Sequence, residues 1–133
     1  MDITTVSDAY HRWSDLNDVF PRGNLEVWYM RPEAFRDFGT CNIKLPNPTD
    51  LEASHILLGS VRKDAGVPLA AAFEELWLKL QNWSPNGEAC DLIRSKGLKH
   101  TSMSVGDCFR LNGDVYRVAS QGFSKLALTE TPI

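Results

Sequence analysis

His100, Ser102, Ser104 and Asp107 crowd into one stretch, Lys99-His100-Thr101-Ser102-Met103-Ser104-Val105-Gly106-Asp107. These are the residue types of hydrolytic chemistry. A serine nucleophile needs a base within hydrogen-bond reach and a third group that orients the base. On that reading His100 works with Ser102 or Ser104 in a small hydrolase or transferase. The spacing itself argues otherwise, because no strand–elbow–helix nucleophile turn is present. The competing reading is conformational. Thr101, Ser102 and Ser104 then bond nearby backbone groups, Gly106 supplies a tight approach or a positive φ, and Asp107 closes a turn. The conformational reading is the one the residues favour.

Other chemistries have less to work with. His11, His55 and His100 have no partner at metal-ligand spacing, so neither a metal nor a cofactor is expected. There is no Walker-type loop and no GxGxxG. Three widely spaced cysteines, Cys41, Cys90 and Cys108, form neither a CxxC pair nor a disulfide framework. They read as small buried or half-buried residues.

Binding is better represented. Arg94, Lys96, Lys99 and His100 surround a helix end, where cations also favour the helix dipole. Arg110 and Arg117 share one face of a hairpin, a layout that suits phosphates and stacked bases. Single-stranded nucleic-acid binding is therefore a third reading, weakened by the net charge of -3 and the lack of an RNP-type motif. Trp83, in Asn82-Trp83-Ser84-Pro85, is the best anchor for a protein partner.

The elements that position these residues follow from periodicity. Thr5 to Leu16 reads as an amphipathic helix, and Leu25 to Met30 as a strand after the turn Pro21-Arg22-Gly23-Asn24. Pro32 opens a short helix with Phe35 and Phe38, and residues 42–50 form an extended loop. Ser54 to Arg62 reads as a strand buried on both faces. Pro68 begins the strongest helix, with Leu69, Phe73, Leu76, Trp77 and Leu80 as its stripe. Ser84-Pro85 starts another helix that ends near Gly97. Asn112-Gly113 joins Asp107–Leu111 to Asp114–Ser120 in a hairpin that sets Phe109 opposite Tyr116. Cys108, Arg110, Val115 and Arg117 fall on its more solvated face. Phe123 to Leu128 is a last strand, and the polar tail 129–133 frays.

The sum is an α+β fold: one domain over 1–133, with an antiparallel sheet of about five strands and helices packed mainly on one face. A small SH3-like or PUA-like barrel from Val105 onward is the alternative. Four Trp, six Phe and three Tyr supply the core. No apolar run has the length of a membrane span, and Met1-Asp2-Ile3-Thr4-Thr5 shows no secretory head, so a cytoplasmic location is expected.

Three runs carry a likeness: Trp83-Ser84-Pro85-Asn86-Gly87-Glu88-Ala89, Gly97 to Asp107, and Tyr116-Arg117-Val118-Ala119-Ser120-Gln121-Gly122-Phe123. Together they resemble small proteins borne by phages, plasmids and other mobile elements. The His-Thr-Ser-Met-Ser-Val-Gly-Asp run and the Tyr-x-Val-x-Ser-x-Gly-Phe strand are also similar to the tail of YodL-like domains. The resemblance implies context and no established activity: an accessory protein that acts on host or defence machinery. The leading expectation is a non-enzymatic protein-binding module. Its surface is built from the 99–107 loop and the adjacent hairpin face, with Lys99, His100, Ser102, Ser104, Asp107, Arg110 and Arg117 as binding residues, Lys99, His100, Arg110 and Arg117 as the polar contacts among them, and Trp83 as an anchor. The sequence leaves its oligomeric state open.

Overall fold

The computed structural model describes residues 23–33, 46–81, 92–98, 100–127 and 129–133. The helix expected over 5–16, Phe35 and Phe38, the start of the 42–50 loop, Trp83, most of the helix after Ser84, and Lys99 lie outside the described residues.

Among the described residues six antiparallel strands form one sheet: β1 (Leu25–Met30), β2 (His55–Val61), β3 (Cys108–Leu111), β4 (Asp114–Val118), β5 (Phe123–Leu126) and β6 (Glu130–Pro132). Their spatial order is β2-β1-β3-β4-β5-β6. Among the described residues an α-helix, α1 (Leu69–Lys79), and a 3-10 turn (Leu51–Ala53) accompany them, and residues 92–95 are also helical. The fold is α+β. The strands from Cys108 onward continue the sheet begun by β1 and do not close into a separate barrel, because β2 and β6 stand at its two ends.

Alternation along β1 sorts the core. Leu25, Val27 and Tyr29 face α1, together with Phe109 and Leu111 of β3 and Tyr116 and Val118 of β4. Phe73 of α1 sits at the centre of that layer. Its ring stacks on Phe109 at 4.4 Å and meets Phe123 edge-on at 5.4 Å. Such pairs add about 0.5–1.5 kcal/mol beyond the area they bury. Pro68 is the N-cap of the helix, with extended φ -58° and ψ 147°, so the helical residues start at Leu69.

The opposite face is drier than the hairpin pattern implies. Trp28, Leu51, Cys108, Val115 and Leu126 form a second buried cluster there. Cys108 and Val115 are fully buried, which corrects the expectation of a solvated face. The arginines between them cover apolar surface with their stems. The Arg110 guanidinium lies 4.8 Å from the Trp28 ring centroid.

Two strands depart from expectation. β2 is an edge strand whose register shifts opposite Val27/Trp28. The extra residue changes parity, so Leu58 is fully buried and Leu57 is exposed. The tail does not fray: Glu130–Pro132 adds β6 to the edge of β5. Arg117 holds it with a fork, Nη2 donating to Glu130 Oε1 at 2.9 Å and Nε to Oε2. A polar strand fixed by an ion pair leaves no apolar signature. Among the described residues no helix is long and apolar enough to cross a membrane.

Candidate functional site

The segment from His100 to Asp107 ties five parts of the fold together. It leaves the end of α1 side by side with the chain: Met103 N–H donates to Leu80 O at 3.2 Å, and Gln81 Nε2 donates to both Trp77 O and Met103 O. Tyr29 of β1 donates its hydroxyl to Thr101 O at 3.1 Å and stacks its ring on His100. The segment then turns. Asp107 N–H donates to Ser104 O at 3.0 Å, closing a β-turn over Val105 and Gly106. The turn docks on the end of β4, with Gly106 N–H to Val118 O and Val118 N–H to Asp107 O, both 2.9 Å.

Gly106 takes φ +100° at the third position of this turn, where a type II turn needs positive φ. It is doubly required. A Cβ there would sit 2.7 Å from Met30 Sδ.

Asp107 is fully buried and acts as an acceptor throughout. Oδ1 takes Met30 N–H at 2.8 Å, and Oδ2 takes Ser104 N–H at 2.8 Å. His100 Nε2–H points between the two oxygens, at 3.0 and 2.9 Å. A carboxylate has the lone pairs for this set. An Asn would turn an NH2 toward one of the donors.

A second imidazole lies on the other side of the turn. His55 Nε2 is 2.7 Å from Gly106 O, and Nδ1 is 2.7 Å from Ser54 Oγ. A carbonyl only accepts, so Nε2 carries the proton and Nδ1 accepts from the serine hydroxyl. Burial lowers the pKa of His55, against the opposing pull of its bond to Gly106. Cys108 Sγ lies 3.6 Å from the same Nε2 and donates to Gly106 O at 3.5 Å. Burial pushes the Cys108 thiol well up, and the nearby Asp107 carboxylate pushes it the same way. A neutral thiol beside a neutral imidazole is the reverse of the thiolate–imidazolium pair that attacks electrophiles.

Ser104 follows the conformational reading. Ser104 Oγ donates to Ser102 O at 2.9 Å, and Ser104 N–H serves Asp107. Arg110 and Arg117 bond carboxylates on their own sheet face: Arg110 Nε donates to Glu26 Oε1, which also accepts from Trp28 Nε1 at 3.0 Å. The Arg117 guanidinium holds Glu130 below the usual carboxylate range, chiefly through their hydrogen bond. Trp83 and Lys99 fall outside the described residues. Among the described residues no group of three or more His, Cys, Asp or Glu could hold a metal ion.

Sequence reasoning missed Tyr29, Met30 and His55 as members of this cluster. Only pairing of β1 with both β2 and β3 brings them there. His55 reaches Gly106 across 51 positions of chain, and no local pattern announces that.

Beside the turn, on the α1 side, lies a groove of about 370 Å³. Met103, Ser104 and Val105 form one wall, the end of β4 and the Ala119–Gly122 turn another, and Glu74 and Trp77 of α1 the third.

Compared with known proteins, the chain matches no family model, no curated protein and no solved structure.

Proposed function

We propose that this chain is a non-enzymatic binding protein that works through contacts with another protein, as an accessory of a phage or plasmid. One observation carries the reading. The side chains best suited to chemistry are spent on holding the fold: Asp107 on Met30, Ser104 and His100, and Ser104 Oγ on Ser102 O. Evolution of a hydrolase from this constellation would need a nucleophile released from those bonds. The mobile-element context rests on the resemblance of the 97–107 and 116–123 runs.

The contact surface in this reading is where the 99–107 segment meets the hairpin, that is, the groove and its rim. Lys99 and Trp83 join it on residue type alone. Asp107 fixes the segment through Met30, Ser104 and His100, and Arg110 and Arg117 are bonded to Glu26 and Glu130. The helical layer is taken to lie mainly on the α1 side of the sheet.

Ser120 is exposed and lines the groove, so Ser120→Arg blocks it without touching the core. Immobilised full-length protein should enrich a discrete set of host proteins that Ser120→Arg loses. Equal recovery by both forms would overturn the reading. So would turnover of ester or phosphoester model substrates that His100→Gln or Ser104→Ala abolishes.

A further inference from the structure

We infer that the groove between α1 and the Met103–Val105 wall takes an apolar side chain of a partner protein with a Lys or Arg next to it. The inference rests on the protein-binding reading above and narrows it to a chemistry.

Three features of the groove lead there. Its size, about 370 Å³, lies in the range of sites that engulf a side chain or small ligand. Its surface is largely apolar, with Trp77, Phe123, Met103 and Val118 among the lining residues. Among the described residues lining it, Glu74 is the one that carries a charge. Glu74 and Trp77 are three apart on α1 and therefore share a helix face. The next carboxylate on the helix, Glu75, is taken by Lys79 Nζ at 3.0 Å. Glu74 forms no ion pair with any described residue. An apolar wall beside this carboxylate suits a cation carried next to an apolar body: the apolar body fills the groove and the carboxylate pairs with the charge. One turn on from Glu74, Leu78 is 42% exposed, which extends the apolar strip for a chain running past the groove.

A carboxylate-bearing partner is disfavoured by the same arrangement, since Glu74 would face a like charge. Specificity therefore resides in the sign of one residue, and that makes it testable.

The experiment uses the full-length protein, labelled with 15N, and two probes: acetyl-Ala-Trp-Lys-Ala-amide and acetyl-Ala-Trp-Glu-Ala-amide. The Lys peptide should shift the amides of Ser104, Ala119, Ser120 and Gly122 and the indole of Trp77. It should bind about threefold tighter than the Glu peptide, the scale of an exposed ion pair. Glu74→Lys should reverse the order, and Glu75→Lys should preserve it. An order that survives Glu74→Lys, or no shift at the groove with either peptide, overturns the inference. Tryptamine binding as tightly as the Lys peptide would assign a small amine instead, and concentration-dependent self-association through the groove would assign a second copy. Either outcome also overturns it. If the peptides fail while Ser120→Arg still loses its captured proteins, the inference falls and the binding reading stands.

Discussion

Asp107 accepts a hydrogen bond from the backbone N–H of Met30, 77 positions earlier in the chain, at 2.8 Å. Met30 is the last residue of β1, and Asp107 stands just before β3. Their bond joins two strands where the ladder itself ends, since the last registered pair is Trp28 with Cys108. The same carboxylate fixes Ser104 and His100. One buried side chain thus sets the exit of β1, the shape of the 104–107 turn and the orientation of an imidazole. The groove wall is built on that turn, so a binding surface here depends on a fastening that never touches a partner.

A side chain at Gly106 should destabilise the fold. Gly106→Ala adds a Cβ at positive φ and drives it into Met30 Sδ. The expected loss is about 1–3 kcal/mol in urea unfolding. Gly113→Ala, also at positive φ but with open space around it, should lose only about 1 kcal/mol. If the steric part is real, Met30→Ala should restore part of the deficit in Gly106→Ala and none in Gly113→Ala.

Acid should weaken the fold through His55. Its folded pKa is depressed by burial, while in the unfolded chain it titrates near about 6.5. As pH falls below that value, the unfolded chain binds a proton that the folded one resists, so stability falls until the folded pKa is passed. Urea midpoints measured between neutral pH and pH 5 should show this slope. His55→Gln should be less stable at neutral pH and should lose the part of the slope due to this residue. A slope unchanged by the substitution would remove His55 as its source.

The Cys108 thiol should be inert in the native state. It is fully buried and its pKa is raised. With Cys41 and Cys90 replaced by Ser, a disulfide reagent at mildly alkaline pH should label Cys108 only as fast as the protein opens. Labelling should complete at once in denaturant. Fast native labelling would contradict this and make Cys108 a candidate nucleophile.

Deleting the central ring should cost more than any surface change. Phe73 is fully buried against Phe109, Tyr116 and Phe123. Phe73→Ala should lose about 3–5 kcal/mol, read from the same unfolding curves.

Local rules went far where structure is local. Residues 25–30 put Leu25, Val27 and Tyr29 on one face, and β1 spans Leu25–Met30. Asn112-Gly113 demands a two-residue loop, and Phe109 faces Tyr116. Gly106 sits at positive φ in a turn that Asp107 closes. The α+β class followed from such elements. What escaped was decided at long range. β6 is a polar strand held by Arg117 and Glu130, so its pattern resembles a loop. The buried state of Cys108 and Val115 depends on Leu51 and Trp28 covering them, residues that only tertiary structure brings near. His55 entered the site by pairing of β2 with β1. The bulge that exposes Leu57 changes the parity of β2 in mid-strand, which periodicity cannot anticipate.

The most direct trial of the account is equilibrium unfolding of Asp107→Ala and Asp107→Asn against Ser104→Ala. Asp107→Ala strands three donors, the N–H groups of Met30 and Ser104 and His100 Nε2, and should lose at least about 3 kcal/mol. Asp107→Asn should fall between it and the parent, because its amide satisfies some of those donors and repels another. Ser104→Ala removes one hydroxyl bond to a half-buried carbonyl and should lose about 1 kcal/mol or less. Were Asp107→Ala as stable as the parent, with its effect confined to turnover of some substrate, the carboxylate would be a catalytic group and not the fastening described.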